Sequence, residues 1–213
     1  MVIIHFTAIL ILDTIIRDWA TFLFISLSTF VLLIDDYKIQ KNKVIIIQPF
    51  NDFSSTLAHS IFNKIKAINP NILLRKPIPL PEMAYYPLRN RYRADSLIRY
   101  LSRMTTGDTT FIGLTNKDIS TTNGKIVDWG VMGFAYRPGK ASVVSTFRLA
   151  KKNISTQFYK VAIHELGHTQ GLPHCNNKTC FMRDAKGGNH LDEENNFCAS
   201  CTSILKNKGW QLN

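Results

Sequence analysis

The segment His164-Glu165-Leu166-Gly167-His168-Thr169-Gln170-Gly171-Leu172-Pro173-His174 constrains this chain more than any other. His164 and His168 are four apart, so on a helix they project from one face about one turn apart, where both imidazoles can reach a single ion at ~2.0–2.1 Å. Tyr159, Ala162, Ile163 and Leu166 fall on the opposite side and can pack into a domain. The pattern predicts a helix from about Thr156 to Gly171. Gly171 can take the left-handed conformation that ends a helix, and Pro173 blocks its continuation, so His174 can swing back as a third ligand. Chance would produce these spaced residues on the order of once in a hundred thousand chains of this length.

Three histidines leave one position of a tetrahedral zinc open for water, whose pKa falls towards ~7 there. Glu165, next to the first ligand, is placed to orient that water, take its proton and pass it to a leaving amine. The expected function is therefore zinc-dependent hydrolysis of peptide bonds in a peptide or protein substrate, with aminopeptidase and endopeptidase action both open. The alternative is a zinc-binding module without turnover, acting on a partner or at a membrane. Glu165 weighs against it, because a site that only holds metal has no need of a carboxylate there.

All four cysteines lie near the C-terminus, as Cys175 and Cys180 and then Cys198 and Cys201. A Cys-x4-Cys pair followed by Cys-x2-Cys matches a tetrathiolate zinc knot, whose metal would replace a core that this short polar tail cannot supply. Two disulfides are the alternative. Two zinc ions per chain are expected, one catalytic and one structural.

The length of 213 residues suits one domain with an N-terminal appendage. Residues 1–42 form an apolar lead, with stretches from Val2 to Ile16 and from Trp19 to Ile34. Neither reaches the ~20 apolar residues of a helical span. Residues 19–34 could still cross a thin bilayer, so membrane association through the N-terminus is expected, with a soluble cytoplasmic protein as the alternative. Lys38, Lys41 and Lys43 against Arg17 favour a cytoplasmic C-terminal domain. A cleaved signal peptide fits poorly, because the stretch ends in Asp35 and Asp36 without a small-x-small site. The net charge of +11 permits anionic partners. Between positions 75 and 103, seven arginines and lysines face only Glu82 and Asp95. With no nucleic-acid module alongside, this run reads as a solvated face, and no specific nucleic-acid partner is expected.

Residues 43–213 read as the catalytic domain, with a Cys-rich C-terminal subdomain from about residue 172. Buried strands are expected over Lys43 to Gln48, Ile72 to Leu74 and Thr109 to Leu114, and helices over Ser54 to Ile68 and Ala94 to Met104. Val131 to Tyr136 and Ala141 to Leu149 read as strands joined by the turn Arg137-Pro138-Gly139-Lys140.

The run from His164 through Cys180, Phe181 and Met182, with the later Cys198 and Cys201, resembles the archaemetzincins at every specified position of their signature. The resemblance extends through Asp128-Trp129-Gly130 and Ser142 to Leu149, covering roughly residues 43–205. It implies an α/β (α+β), metzincin-like fold with a mixed, mostly parallel five-stranded sheet, an active-site helix and a small zinc-stapled C-terminal subdomain. It also implies catalytic zinc at His164, His168 and His174, Glu165 as general base, structural zinc at Cys175, Cys180, Cys198 and Cys201, and Met182 as the Met-turn residue. The strand around Ala141 to Arg148 is expected to form the edge on which an extended peptide adds. A monomer is expected.

Overall fold

Four consecutive apolar residues, Val44 to Ile47, open a strand that is covered on both faces, and the rest of the fold is arranged around it. A computed structural model describes residues 44–212. The expected five-stranded sheet is present. Its strands are β1 (Val44–Pro49), β2 (Ile72–Leu74), β5 (Thr109–Thr115), β8 (Gly133–Ala135) and β9 (Ala141–Ser145), in the order β2-β1-β5-β9-β8. All pairings are parallel except β8 on β9.

Side chains alternate across this sheet. Ile45, Ile47, Ile112, Leu114 and Val144 pack in one cluster with α1 (Ser55–Lys66) and α3 (Ile154–Thr169). Ile46, Phe111 and Val143 pack in the other with α2 (Ala94–Ser102), whose Leu97, Ile98 and Leu101 are buried. The result is three layers, with α3 against β8 and β9.

A second sheet was not anticipated. β3 (Tyr85–Tyr86), β4 (Arg91–Arg93), β6 (Ile119–Asn123) and β7 (Ile126–Val131) form it in the order β3-β4-β6-β7. It overturns the solvated-face reading of the basic run at its centre. Arg91 is only 12% exposed and pairs with Asp118 at 3.0 Å and Asp128 at 3.2 Å. Arg93 donates to the Val127 carbonyl at 2.5 Å and lies 3.6 Å from Asp95. Asp118 and Asp128 stand outside the 75–103 window, so a local charge count could not find them.

Two further expectations are corrected. The edge of the five-stranded sheet beside the active-site helix is β8, while β9 lies inside the sheet and ends at Ser145, because β8 folds back on β9 and takes the outer position. The C-terminal segment also has an apolar contribution of its own. Phe197, Leu205 on α4 (Ala199–Lys206) and Trp210 join the cluster that holds α1 and α3. Their spacing in a polar tail hides this, since Phe197 packs on Phe181 and Trp210 and all join the core of the main domain. No helix among the described residues is long and apolar enough to cross a membrane. The lead, with its anchor expectation on residues 19–34, lies outside the described residues.

Candidate active site

Helix α3 ends as Gly171 and Pro173 predict. Gly171 adopts φ +96°, its N–H donates to His168 O at 2.8 Å, and the Leu172 N–H reaches back to Gly167 O at 3.0 Å. This termination also orients a histidine, because the Leu172 carbonyl accepts from His168 Nδ1 at 2.8 Å. His164 Nδ1 donates likewise to the Phe181 carbonyl at 2.6 Å. A carbonyl can only accept, so both rings carry their proton on Nδ1 and present a bare Nε2. His174 follows the turn, and one nitrogen from each of the three rings lies within 4.8 Å of the others. Burial holds His164 down to about 3, and His168 beside it acts in the same direction. Burial lowers His168 as well. Convergent imidazole nitrogens, with His164 and His168 held neutral by burial, fit a divalent cation, and Asp184 Oδ2 lies 3.6 Å from His174 Nδ1.

Glu165 is 6% exposed and faces the edge strand. A methyl group on Gly133 of β8 would stand 2.6 Å from Glu165 Oε1 and from its Cγ, so the glycine makes room for the carboxylate. Burial pushes the Glu165 carboxyl up to about 8. Gly133→Ala displaces a movable side chain and leaves the core alone. It is expected to lower kcat by about 10²-fold through misplacement of Glu165, with the melting temperature and zinc content of the protein little changed. A variant with unaltered kcat would show that Glu165 does not depend on this gap.

Met182 is fully buried under α3. It lies in the turn from Cys180 to Arg183, closed by Arg183 N–H to Cys180 O at 2.9 Å. A methyl on Gly167 would meet its Sδ at 2.5 Å, with Leu172 Cδ1 at 3.3 Å behind it. Gly167→Ala is therefore expected to cost about 1–3 kcal/mol through overpacking, read as a lowered melting temperature. Unchanged stability would mean that Met182 can move aside.

The four cysteines gather in a separate cluster with all Sγ atoms within 4.8 Å of one another. Cys175 and Cys198 are 3.7 Å apart and Cys180 and Cys201 3.8 Å, so no sulfur is bonded to another. A tetrahedron of sulfurs at ~2.3 Å from a zinc has edges of about 3.8 Å, which these separations match. The Met182 and Cys198 N–H groups point at Cys180 Sγ from 3.5 and 3.3 Å, and Asn177 N–H at Cys175 Sγ from 3.5 Å. Burial raises the Cys180 and Cys201 thiols, whereas the Cys201 N–H pulls Cys198 down to about 7. A central cation is what would let all four ionise together. The two clusters are linked through the chain, for Cys175 adjoins His174 and donates its N–H to Met182 O at 2.7 Å.

The histidines and Glu165 open into a cleft of about 1020 Å³ between β8 and the loop after Met182. Gly133, Asp184 and Glu194 belong to its wall and were missed in the sequence. Gly133 carries no signal beyond being a glycine within an expected strand, Asp184 follows Met182 by two positions, and Glu194 hides in the acidic run Asp192-Glu193-Glu194.

The comparisons with known proteins agree with this geometry. The model of peptidase family M54 matches residues 34–207. The archaemetzincin of Haloquadratum walsbyi is 32% identical over 139 residues, covering 59% of this chain and 78% of that protein. The archaemetzincin of Halobacterium salinarum is 31% identical over 169 residues, covering 73% and 95%. The crystal structure of Methanopyrus kandleri archaemetzincin superposes with a TM-score of 0.67 at 28% identity, over 79% of this chain and 96% of that one. That of Archaeoglobus fulgidus archaemetzincin, complexed with malonate, gives 0.64 at 28% identity, over 75% and 98%. Matched by the family model over most of its length and similar in sequence and fold to these relatives, the chain belongs to peptidase family M54, the archaemetzincins, and is a zinc metallopeptidase.

Proposed function

We propose that this protein cleaves peptide bonds at a zinc held by His164, His168 and His174, with Glu165 as general base. The convergence of three imidazoles, two of them with a bare Nε2, beside a buried carboxylate carries this reading. Zinc bound there would polarise the scissile carbonyl and acidify water. Glu165 takes a proton from the attacking water and returns it to the leaving amine, keeping its carboxylate against Gly133 throughout. The outer edge of β8, which borders the cleft, offers the backbone groups on which an extended substrate lies as a further strand. Met182 supports the helix beneath the histidines, and a second zinc at Cys175, Cys180, Cys198 and Cys201 ties down the segment bearing His174 and Met182. The protein works as a domain from about residue 43, with the Cys-rich part from about 172 closing one side of the site.

The test is incubation of the zinc-loaded protein with a proteome-derived peptide library, with new termini mapped by mass spectrometry and Glu165→Gln as control. New termini absent from the control are expected, and their position separates aminopeptidase from endopeptidase action. No new termini in any library would leave a zinc-binding module as the better account.

A further inference from the structure

The acidic run after the Met182 turn splits by environment. Glu193 is exposed and accepts from Arg183 at 2.7 Å, and Asp192 accepts from Gln157 Nε2 at 3.0 Å. Glu194 turns inward, 4% exposed, in the wall of the cleft that holds the histidines. Its Oε2 is buried with no hydrogen-bond partner among the described residues. The nearby Lys160 does not pair with it, because its Nζ donates to the carbonyls of Leu191 and Glu194 at 2.6 and 2.5 Å. Four cations line the same cleft: Arg148 is engaged with Asp118 at 2.9 Å and Arg183 with Glu193, while Arg137 and Lys186 form no ion pair with Glu194 among the described residues. Burial pushes the Glu194 carboxyl up to about 7, only partly offset by Lys160 and Arg183. A buried carboxylate oxygen without a donor is costly, and native folds retain one where something else satisfies it.

The neighbouring wall indicates what that partner is. Val161, one turn before His164 on α3, and Leu191 are both buried apolar residues bordering the same cleft. A carboxylate with an unpartnered oxygen, sharing a cleft wall with these two apolar residues, suits a side chain with a methylene stem and a cationic tip. We propose that Glu194 selects substrates carrying a lysine or arginine side chain beside the scissile bond. This rests on the peptidase reading above, and Glu194 acts as a specificity residue outside the chemical step.

A pair of short peptide hydroxamates identical except for lysine or norleucine tests it, with binding to the zinc-loaded full chain measured by calorimetry. The lysine compound is expected to bind about 10–10²-fold more tightly, as a charge-assisted contact would give, and Glu194→Gln is expected to erase that advantage. The glutamine keeps the shape of the side chain and removes a buried charge, so the variant retains its fold. Equal affinities in the wild type, or an advantage that survives in Glu194→Gln, overturn the proposal. If the two compounds bind equally and acetylating the α-amine weakens both in the wild type but neither in Glu194→Gln, the carboxylate reads a free amino terminus and the proposal is likewise overturned. The peptide library separates the two inferences. Cleavage without enrichment of basic residues at a position flanking the cut counts against Glu194 alone. Discrimination between the hydroxamates with no cleavage supports the Glu194 contact and counts against the peptidase reading.

Discussion

Glu165→Gln is expected to lower kcat by about 10²–10⁴-fold, the usual contribution of a positioned general base. The metal sites should stay as full as in the wild type. The amide keeps the length and shape of the carboxylate, so it still fits beside Gly133 and leaves β8 in place. It cannot accept the proton of the attacking water. Because Glu165 is not among the clustered imidazoles, zinc content by elemental analysis should not change. The sharp form of the result is a collapse of kcat with KM and metal content held. Turnover within a few-fold of wild type would exclude Glu165 as the base, and loss of zinc would mean that the substitution had disturbed the histidines.

Cys201→Ser is expected to have the largest effect on stability. Cys201 is buried in the first turn of α4, and a serine there cannot complete a tetrathiolate site. Zinc content should fall by about one ion per chain or more relative to the wild type. Stability should fall by more than about 4 kcal/mol, since loss of a metal belongs to the most damaging class of changes. For a chain of this size that is roughly 8–16 °C in melting temperature. The catalytic site should also weaken, through the bond from Cys175 N–H to Met182 O and the adjacency of Cys175 and His174. A chelator should mimic the substitution and a reductant should not. The opposite pattern would favour two disulfides, and a variant with unchanged stability would remove the structural metal from the scheme.

The histidine site was legible because each of its requirements is local. Spacing of four puts His164 and His168 on one face, and Gly171 permits the positive φ that turns the chain towards His174. Strands such as β1 and β5 were legible for a related reason, since burial on both faces writes itself as a continuous apolar run. The second sheet was not. Its strands are short and mixed in polarity, and Arg91 is stabilised by Asp118 from the connection before β6 and by Asp128 of β7.

The sequence by itself determined the active-site helix, its termination, the residue types that can hold metal and the central strands. Those follow from backbone stereochemistry and hydrophobic period within a few residues. Only the tertiary structure decided that β8 and not β9 is the edge beside the active-site helix, that Gly133 makes room for Glu165, that Phe197, Leu205 and Trp210 belong to the main core, and that Glu194 lies in the cleft wall with a buried, unpartnered oxygen. Each of these depends on which distant segments come into contact. Register, edge position and the pairing of a buried charge are properties of that contact and leave no periodic trace in either segment alone.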